Sequence, residues 1–396
     1  MAHVPGNGPG QDGRGEIVEF GSRRRAGGRR AARVLLACVA LAAVVTVAVR
    51  AADHPARHAA AIPAPPPSIR TTTVGHRLLG VTAGWELFAR GPDELLRIEP
   101  AQGRIIETYV PSLETASPDV AFVIGPHDAV IRPFDLVPGY VVPDGGQARL
   151  LTGLLADGGP MVPGPAGSQA AWVTSGSPSS PALTLVTLTG RRSGPSIRFR
   201  PGGPQLPSTA VSDGRGDVLV TDGDLTAAYD TGPGWDRPVS GTMLAVGPAS
   251  WLVDRCDAQY RHCRNEVIDA ATGSQRSLPG PATDPPFSSW PPTGVISPGG
   301  SIAAIAGNGR DGELTVFLID LSTGATRDLN VPLAGPGSYL SSGGQASEQS
   351  MAWSPDGRWL FVAASGGKLV VINPRTGWAG SLGISLPAVD QVAIRP

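Results

Sequence analysis

The sequence predicts an all-β chain: a propeller, seven four-stranded blades by the repeat, preceded by one transmembrane helix. Three observations carry this: a meander of short apolar runs at 351–377, two interleaved series of turns between residues 82 and 377, and one run from Val34 to Val49 that is apolar except for Thr46.

In MAWSPDGRWLFVAASGGKLVVINPRTG, three runs of strand length are rich in β-branched and aromatic side chains: Met351 to Trp353, Trp359 to Ala363 and Leu369 to Ile372. Turn chemistry separates them. Ser354-Pro355-Asp356-Gly357 supplies a fixed φ at Pro and a permissive one at Gly, Ser365-Gly366-Gly367 makes the second turn, and Pro374-Arg375-Thr376-Gly377 leads to a fourth run near Trp378 to Leu382. Four antiparallel strands of this kind make one blade, which cannot bury both faces alone, so copies are required.

The copies are present. The first turn recurs as Thr82-Ala83-Gly84, Gly125-Pro126-His127-Asp128, Gly164-Pro165-Ala166-Gly167, Ser212-Asp213-Gly214, Gly247-Pro248-Ala249 and Ser297-Pro298-Gly299-Gly300. The third recurs as IEPAQG, VPDGG, VTLTG, AYDTG, IDAATG, IDLSTG and INPRTG, whose last glycines are spaced by 43, 44, 42, 41, 51 and 53 residues. That is the period of propeller blades. The final run, VDQVAIRP, reads as the first strand of a further blade, able to close the ring on the N-terminal one. A β-sandwich, or a ring of six or eight blades, is the rival reading of the same turns.

IDLSTG, WSPDGRWLFV and INPRTG resemble the repeats of TolB-type, WD-repeat-like β-propellers, and the resemblance covers residues 70–396. It implies the fold and a habit of binding proteins or small ligands. These are turn and packing motifs, so no catalytic residue comes with them.

Ahead of the ring lie three segments. Residues 1–33 are rich in Gly, Pro and Arg without periodicity and are expected to be a disordered cytoplasmic tail. Residues 34–52 are expected to be a transmembrane helix, with Arg33 and Arg50 able to snorkel at its ends. Residues 53–69, Pro- and Ala-rich, read as a spacer. The flank before the apolar run carries seven arginines against three acids, so the positive-inside rule expects the N-terminus in the cytoplasm and the propeller outside. A cleaved signal is the alternative, but Val49-Arg50-Ala51 lacks the small residues such a site needs.

Cysteine usage agrees with export. Cys256 and Cys263 flank DAQYRH between two strand-like runs and are expected to pair as a disulfide; two cysteines and His262 do not give the ligand spacing of zinc. Gly307, Gly309 and Gly312 form a G-x-G-x-x-G, but the strand-like Glu313 to Asp320 follows where a dinucleotide site needs a helix. There is no G-x-S-x-G elbow; His76, His127 and His262 are the candidate bases of the ring, and Asp222 with Asp224 reads as a turn before it reads as a calcium site. Residues 70–396 hold 23 basic and 29 acidic side chains, a balance that repels a phosphate backbone. No nucleic acid, cofactor or metal is expected.

In an up-and-down blade the first and third turns share one end, and the second turn and the link to the next blade share the other. The long insertions, 175–182, the cysteine loop, 279–293 and 332–349, all fall at the second end. Tyr260, Phe287, Trp290 and Tyr339 are the aromatic anchors expected to bind a partner there. The leading functional expectation is a membrane-anchored, extracytoplasmic, non-catalytic module for protein interaction or sensing. The alternatives are a hydrolase or lactonase-like propeller enzyme working in a central channel, and a small-ligand or glycan binder.

Overall fold

The computed structural model describes residues 69–396 except 112–119, 134–137, 156–160, 166, 178–179, 199–208, 223–224, 231–235, 258–261, 280–293, 310–312 and 334–348. The expected tail, transmembrane helix and spacer up to residue 68 lie outside the described residues, as do Asp224, Tyr260, Phe287, Trp290 and Tyr339. Among the described residues no helix is long and apolar enough to cross a membrane. Residues Pro65–Pro396 form one compact unit.

Among the described residues that unit has 29 strands in chain order. The first group is β1 (Ile69–Thr73), β2 (Glu86–Arg90), β3 (Glu94–Glu99) and β4 (Arg104–Tyr109). The second is β5 (Val120–Ile124), β6 (Asp128–Pro133), β7 (Tyr140–Pro143) and β8 (Arg149–Leu150). The third is β9 (Met161–Pro163), β10 (Ala170–Ser177), β11 (Ser180–Thr187) and β12 (Arg192–Arg198). The fourth is β13 (Thr209–Ser212), β14 (Asp217–Asp222), β15 (Leu225–Asp230) and β16 (Asp236–Ser240). The fifth is β17 (Thr242–Val246), β18 (Ser250–Arg255), β19 (Arg264–Asp269) and β20 (Gln275–Ser277). The sixth is β21 (Gly294–Ile296), β22 (Ile302–Asn308), β23 (Leu314–Asp320) and β24 (Thr326–Pro332). The seventh is β25 (Met351–Trp353), β26 (Leu360–Ala364), β27 (Lys368–Ile372) and β28 (Ala379–Gly380), and β29 (Gln391–Arg395) ends the chain.

Each of groups two to seven is an antiparallel meander in chain order. The fifth and sixth are joined into one eight-stranded sheet because β17 and β21 pair in parallel, Ala245 opposite Gly294 and Val246 opposite Val295. The first group is different. Its order is β29-β2-β3-β4-β1, so the last strand of the chain supplies the innermost strand of the first sheet, Glu86 opposite Arg395 through Arg90 opposite Gln391. The C-terminal run thus closes the ring as its sequence predicts. Thr82-Ala83-Gly84, expected as a turn between paired strands, instead follows a 3-10 turn at Leu78–Gly80 and leads into β2, because the strand it was to join comes from the other end of the chain.

Burial explains the repeat. Seven apolar clusters lie between successive sheets, from Phe88 with Phe122 between the first and second to Trp353 with Val316 between the sixth and seventh. The last of them returns to the start, where Trp85 and Leu87 of the first sheet meet Phe361 of the seventh, the Trp85 and Phe361 rings edge to face at 5.7 Å. Central strands buried on both faces read as continuous apolar runs, as in β26, where all five residues are buried.

Among the described residues the third-turn series falls where predicted; Gly232, which closes AYDTG, lies outside them. Gly103, Gly190, Gly273, Gly324 and Gly377 adopt positive φ between third and fourth strands; in the VPDGG turn the left-handed residue is Gly145 rather than Gly146. Residues 175–182, expected as an insertion, are instead the paired tips of β10 and β11, Ser175 opposite Ala182 through Ser177 opposite Ser180. Alternation is weak there and small polar residues hid the continuing ladder. The run expected over Trp378 to Leu382 keeps only Ala379–Gly380 as strand.

Candidate functional site

The first strand of every sheet lies innermost, and all seven of these strands, β29, β5, β9, β13, β17, β21 and β25, line one central cavity of about 340 Å³. Its wall is mostly apolar: Phe122, Met161, Val246, Val295, Met351 and Trp353 all contribute. β17 and β21 pair in parallel and so run the same way; in a ring of such meanders all inner strands do, which gathers their starts at one mouth and their first turns at the other.

Gln349 stands near one mouth, and Ser212 and Asp213 near the other. Gln349, just before β25, takes a left-handed φ of 82°, and its buried Oε1 has no hydrogen-bond partner among the described residues. Asp213 follows β13 at the opposite mouth and is 3 % exposed. Its Oδ1 accepts the backbone N–H groups of Arg215 at 2.8 Å, Gly216 at 3.1 Å and Asp217 at 3.0 Å. Its Oδ2 is buried and has no hydrogen-bond partner among the described residues.

Comparison of the first turns isolates this residue. In six hairpins the N–H of the residue after the inner strand closes the turn, and those residues are Gly125, Gly164, Asp213, Gly247, Ser297 and Ser354. Five are Gly or Ser; Asp213 alone brings a carboxylate. Reading Ser212-Asp213-Gly214 as a turn finds its local role, and the odd residue in an otherwise Gly or Ser column is the signal that could have found the rest.

Beside the cavity, charge holds the ring shut. Arg90 is buried and donates from Nε to Gln391 Oε1 at 2.5 Å, while Gln391 Nε2 donates to Val120 O at 2.8 Å, tying β2, β29 and β5 together. Burial pushes the Arg90 guanidinium below its usual range, and Asp390, 3.5 Å away, pulls it back. At the other end of β29, Arg395 donates to Glu86 Oε2 at 2.5 Å, to Asp144 Oδ2 at 2.8 Å and to Gly125 O at 3.1 Å, and stacks 4.8 Å above the Phe88 ring.

Cys256 and Cys263 form the expected disulfide. With Asp254 they place three metal-type ligand atoms within 4.8 Å of one another, but the two sulfurs are bonded to each other and are spent as ligands. Burial pushes the Asp254 carboxyl up to about 6. Burial, then Asp93 and Glu107, pushes Glu94 up to about 7 at the start of β3. His76 and His262 lie in the links before β2 and before β19, His127 lies in the turn between β5 and β6, and none of the three lines the cavity. Asp356 is a turn residue, as expected: its Oδ1 accepts Ser354 Oγ at 2.6 Å and Arg358 N at 3.1 Å. Gly309 N bonds Glu313 O at 2.7 Å and β23 follows, so the glycine motif is a hairpin.

Comparison with solved structures brings the fold into company. TolB from Acinetobacter baumannii is 14% identical, with 78% of this chain and 82% of that one covered and a TM-score of 0.40. The periplasmic gluconolactonase of Pseudomonas aeruginosa is 16% identical over 78% of this chain and 98% of its own, with a TM-score of 0.43. An oligogalacturonate lyase in complex with manganese is 11% identical over 79% and 93%, with a TM-score of 0.49. The chain's own meanders, set around one cavity with β29 paired back onto β2, make the fold a β-propeller. At these identities and TM-scores the likenesses carry no argument about this chain. No protein-family model and no curated protein matches the chain.

Proposed function

We propose that the chain is a membrane-anchored, extracytoplasmic propeller of seven blades and TolB type, acting as a non-catalytic module that binds a protein partner or senses a ligand. The observation that carries this reading is the central cavity: seven inner strands surround an apolar space with one acceptor near each mouth, an arrangement suited to holding something rather than to transferring a proton. The arginine-flanked apolar run at 34–52 supports the anchor, and the disulfide supports an oxidising compartment.

The cysteine loop, 279–293 and 332–349 connect β18 to β19, β20 to β21 and β24 to β25. Tyr260, Phe287, Trp290 and Tyr339 are the residues proposed to bind the partner. Replacing Trp290 and Tyr339 with Ala is expected to abolish capture of the partner crosslinked in living cells while leaving the melting temperature within a few degrees. A large loss of stability would mark the two aromatics as packing residues and remove them from the binding face. A small-ligand reading has one observation in its favour: about 340 Å³ is a small-molecule volume.

A further inference from the structure

We infer that the outer edge of β1 docks a second copy of this chain, the two β1 strands pairing antiparallel about Thr71. The inference is independent of what the channel binds.

The other outer edges are blunted. An outermost strand offers a row of unpaired N–H and C=O groups, and unwanted pairing there is prevented by short strands, proline or a kink. β1, β8, β12, β16, β20, β24 and β28 end their sheets on the outside. Of these, β8 and β28 are two residues long and β20 three. Pro195 in β12 and Pro238 in β16 each remove an N–H in mid-strand. β24 is bent where Asn330 takes a left-handed φ of 50° and its register against β23 shifts. β1, with sequence IRTTT, has none of these devices. Its register with β4 is unbroken from Ile69 opposite Thr108 to Thr73 opposite Arg104, and Arg70 to Thr73 are exposed. It is also an addition: β29, β2, β3 and β4 already make a four-stranded blade, and among the described residues no strand lies beyond β1.

The edge is complementary to itself. Val74 N donates to Gly103 O at 2.8 Å, so by alternation the amides of Thr72 and Arg70 also face β4, while the N–H and C=O groups of Ile69, Thr71 and Thr73 point outward. An antiparallel copy centred on Thr71 sets Thr71 against Thr71 and Ile69 against Thr73, so every outward N–H of β1 meets an outward C=O. The side chains agree. Arg70 comes opposite Thr72 of the second copy and keeps Glu107 of its own chain at 3.8 Å. In-register parallel pairing would instead place the two Arg70 side chains next to each other, a like-charge contact that destabilises a sheet.

Disulfide crosslinking and sedimentation of the full-length chain in mild detergent test this, with Cys38→Ser as the background for crosslinking. Under copper phenanthroline, Thr71→Cys is expected to give a covalent dimer, because a hydrogen-bonded pair holds its Cα atoms about 5.5 Å apart, within disulfide reach; Thr73→Cys, set opposite Ile69 rather than its own copy, is expected to give at least about fivefold less. Thr71→Pro removes an outward N–H and spares the bonds to β4, so it is expected to raise the dimer dissociation constant at least about tenfold and leave the melting midpoint unchanged. A monomeric wild-type chain, a Thr71→Pro dimer as tight as wild type, no crosslink at 71, or equal crosslinking at 71 and 73 would each overturn the inference.

Discussion

Ring closure can be broken at a single side chain. Gln391 is 1 % exposed and joins three strands: it accepts from Arg90 Nε and donates to Val120 O. Replacing it with Ala removes one hydrogen bond to a charged group, worth about 1.5–3 kcal/mol, and one neutral bond of about 1 kcal/mol. It also leaves the buried Arg90 charge short of an acceptor, where losing a buried partner costs about 3–5 kcal/mol in all. The two routes overlap, so Gln391→Ala is expected to lower unfolding stability by about 3–5 kcal/mol. Urea unfolding followed by tryptophan fluorescence reads this as a shift of midpoint at constant slope. Arg395, more exposed and sharing its partners with Arg97, supplies the control, expected to cost less. A loss below about 1 kcal/mol for Gln391→Ala would refute the view that this buried clasp holds β29 in place.

Other perturbations follow from the same geometry. The disulfide closes a short loop, Cys256 and Cys263 being 7 residues apart, and loop-closure entropy gives it about 2.5 kcal/mol; Cys256→Ser is expected to lower the melting midpoint under oxidising conditions and to erase its response to reductant. The folded-state carboxyl of Asp254 is pushed up to about 6 by burial, against about 4 in the unfolded chain, so the folded state holds the proton more tightly and this group's contribution falls as pH rises from 4 through 6. Asp254→Asn is therefore expected to raise stability at pH 7 and to flatten the slope of that window in denaturation curves taken at stepped pH. Gly324 has a φ of 74°, and a Cβ there would sit 2.0 Å from Pro279 O, so Gly324→Ala is expected to cost more than the about 1–2 kcal/mol of the left-handed backbone alone, measured by urea unfolding.

Turn chemistry made the ring legible before any strand was placed. Gly273, Gly324 and Gly377 take the positive φ that only their missing Cβ makes easy, so their spacing reports the blade period directly. The closing role of VDQVAIRP could be read because a lone apolar run after seven units has no other place to pair. What stayed hidden was whatever depends on space rather than on neighbours in sequence. The network of Glu86, Arg97, Asp144 and Arg395 joins residues hundreds of positions apart, and nothing local marks them as partners. The hairpin over 175–182 was hidden for the opposite reason: its Ser, Gly and Pro residues carry a loop composition, yet backbone pairing from Ala170 opposite Thr187 continues through them. The channel itself is legible only once the seven inner strands are known to face one another, which is why Asp213 reads as a turn in the sequence and as a buried acceptor in the fold.

The account stands on the channel as the place where something binds. The most direct test is a photoreactive diazirine amino acid placed in living cells at Val295, on the cavity wall, and separately at Arg276, exposed on the outer strand β20. Adducts formed from Val295 and not from Arg276 are the predicted result. Adducts from Arg276 alone, with the protein folded and exported in both cases, would contradict it and move the working surface to the outside of the ring.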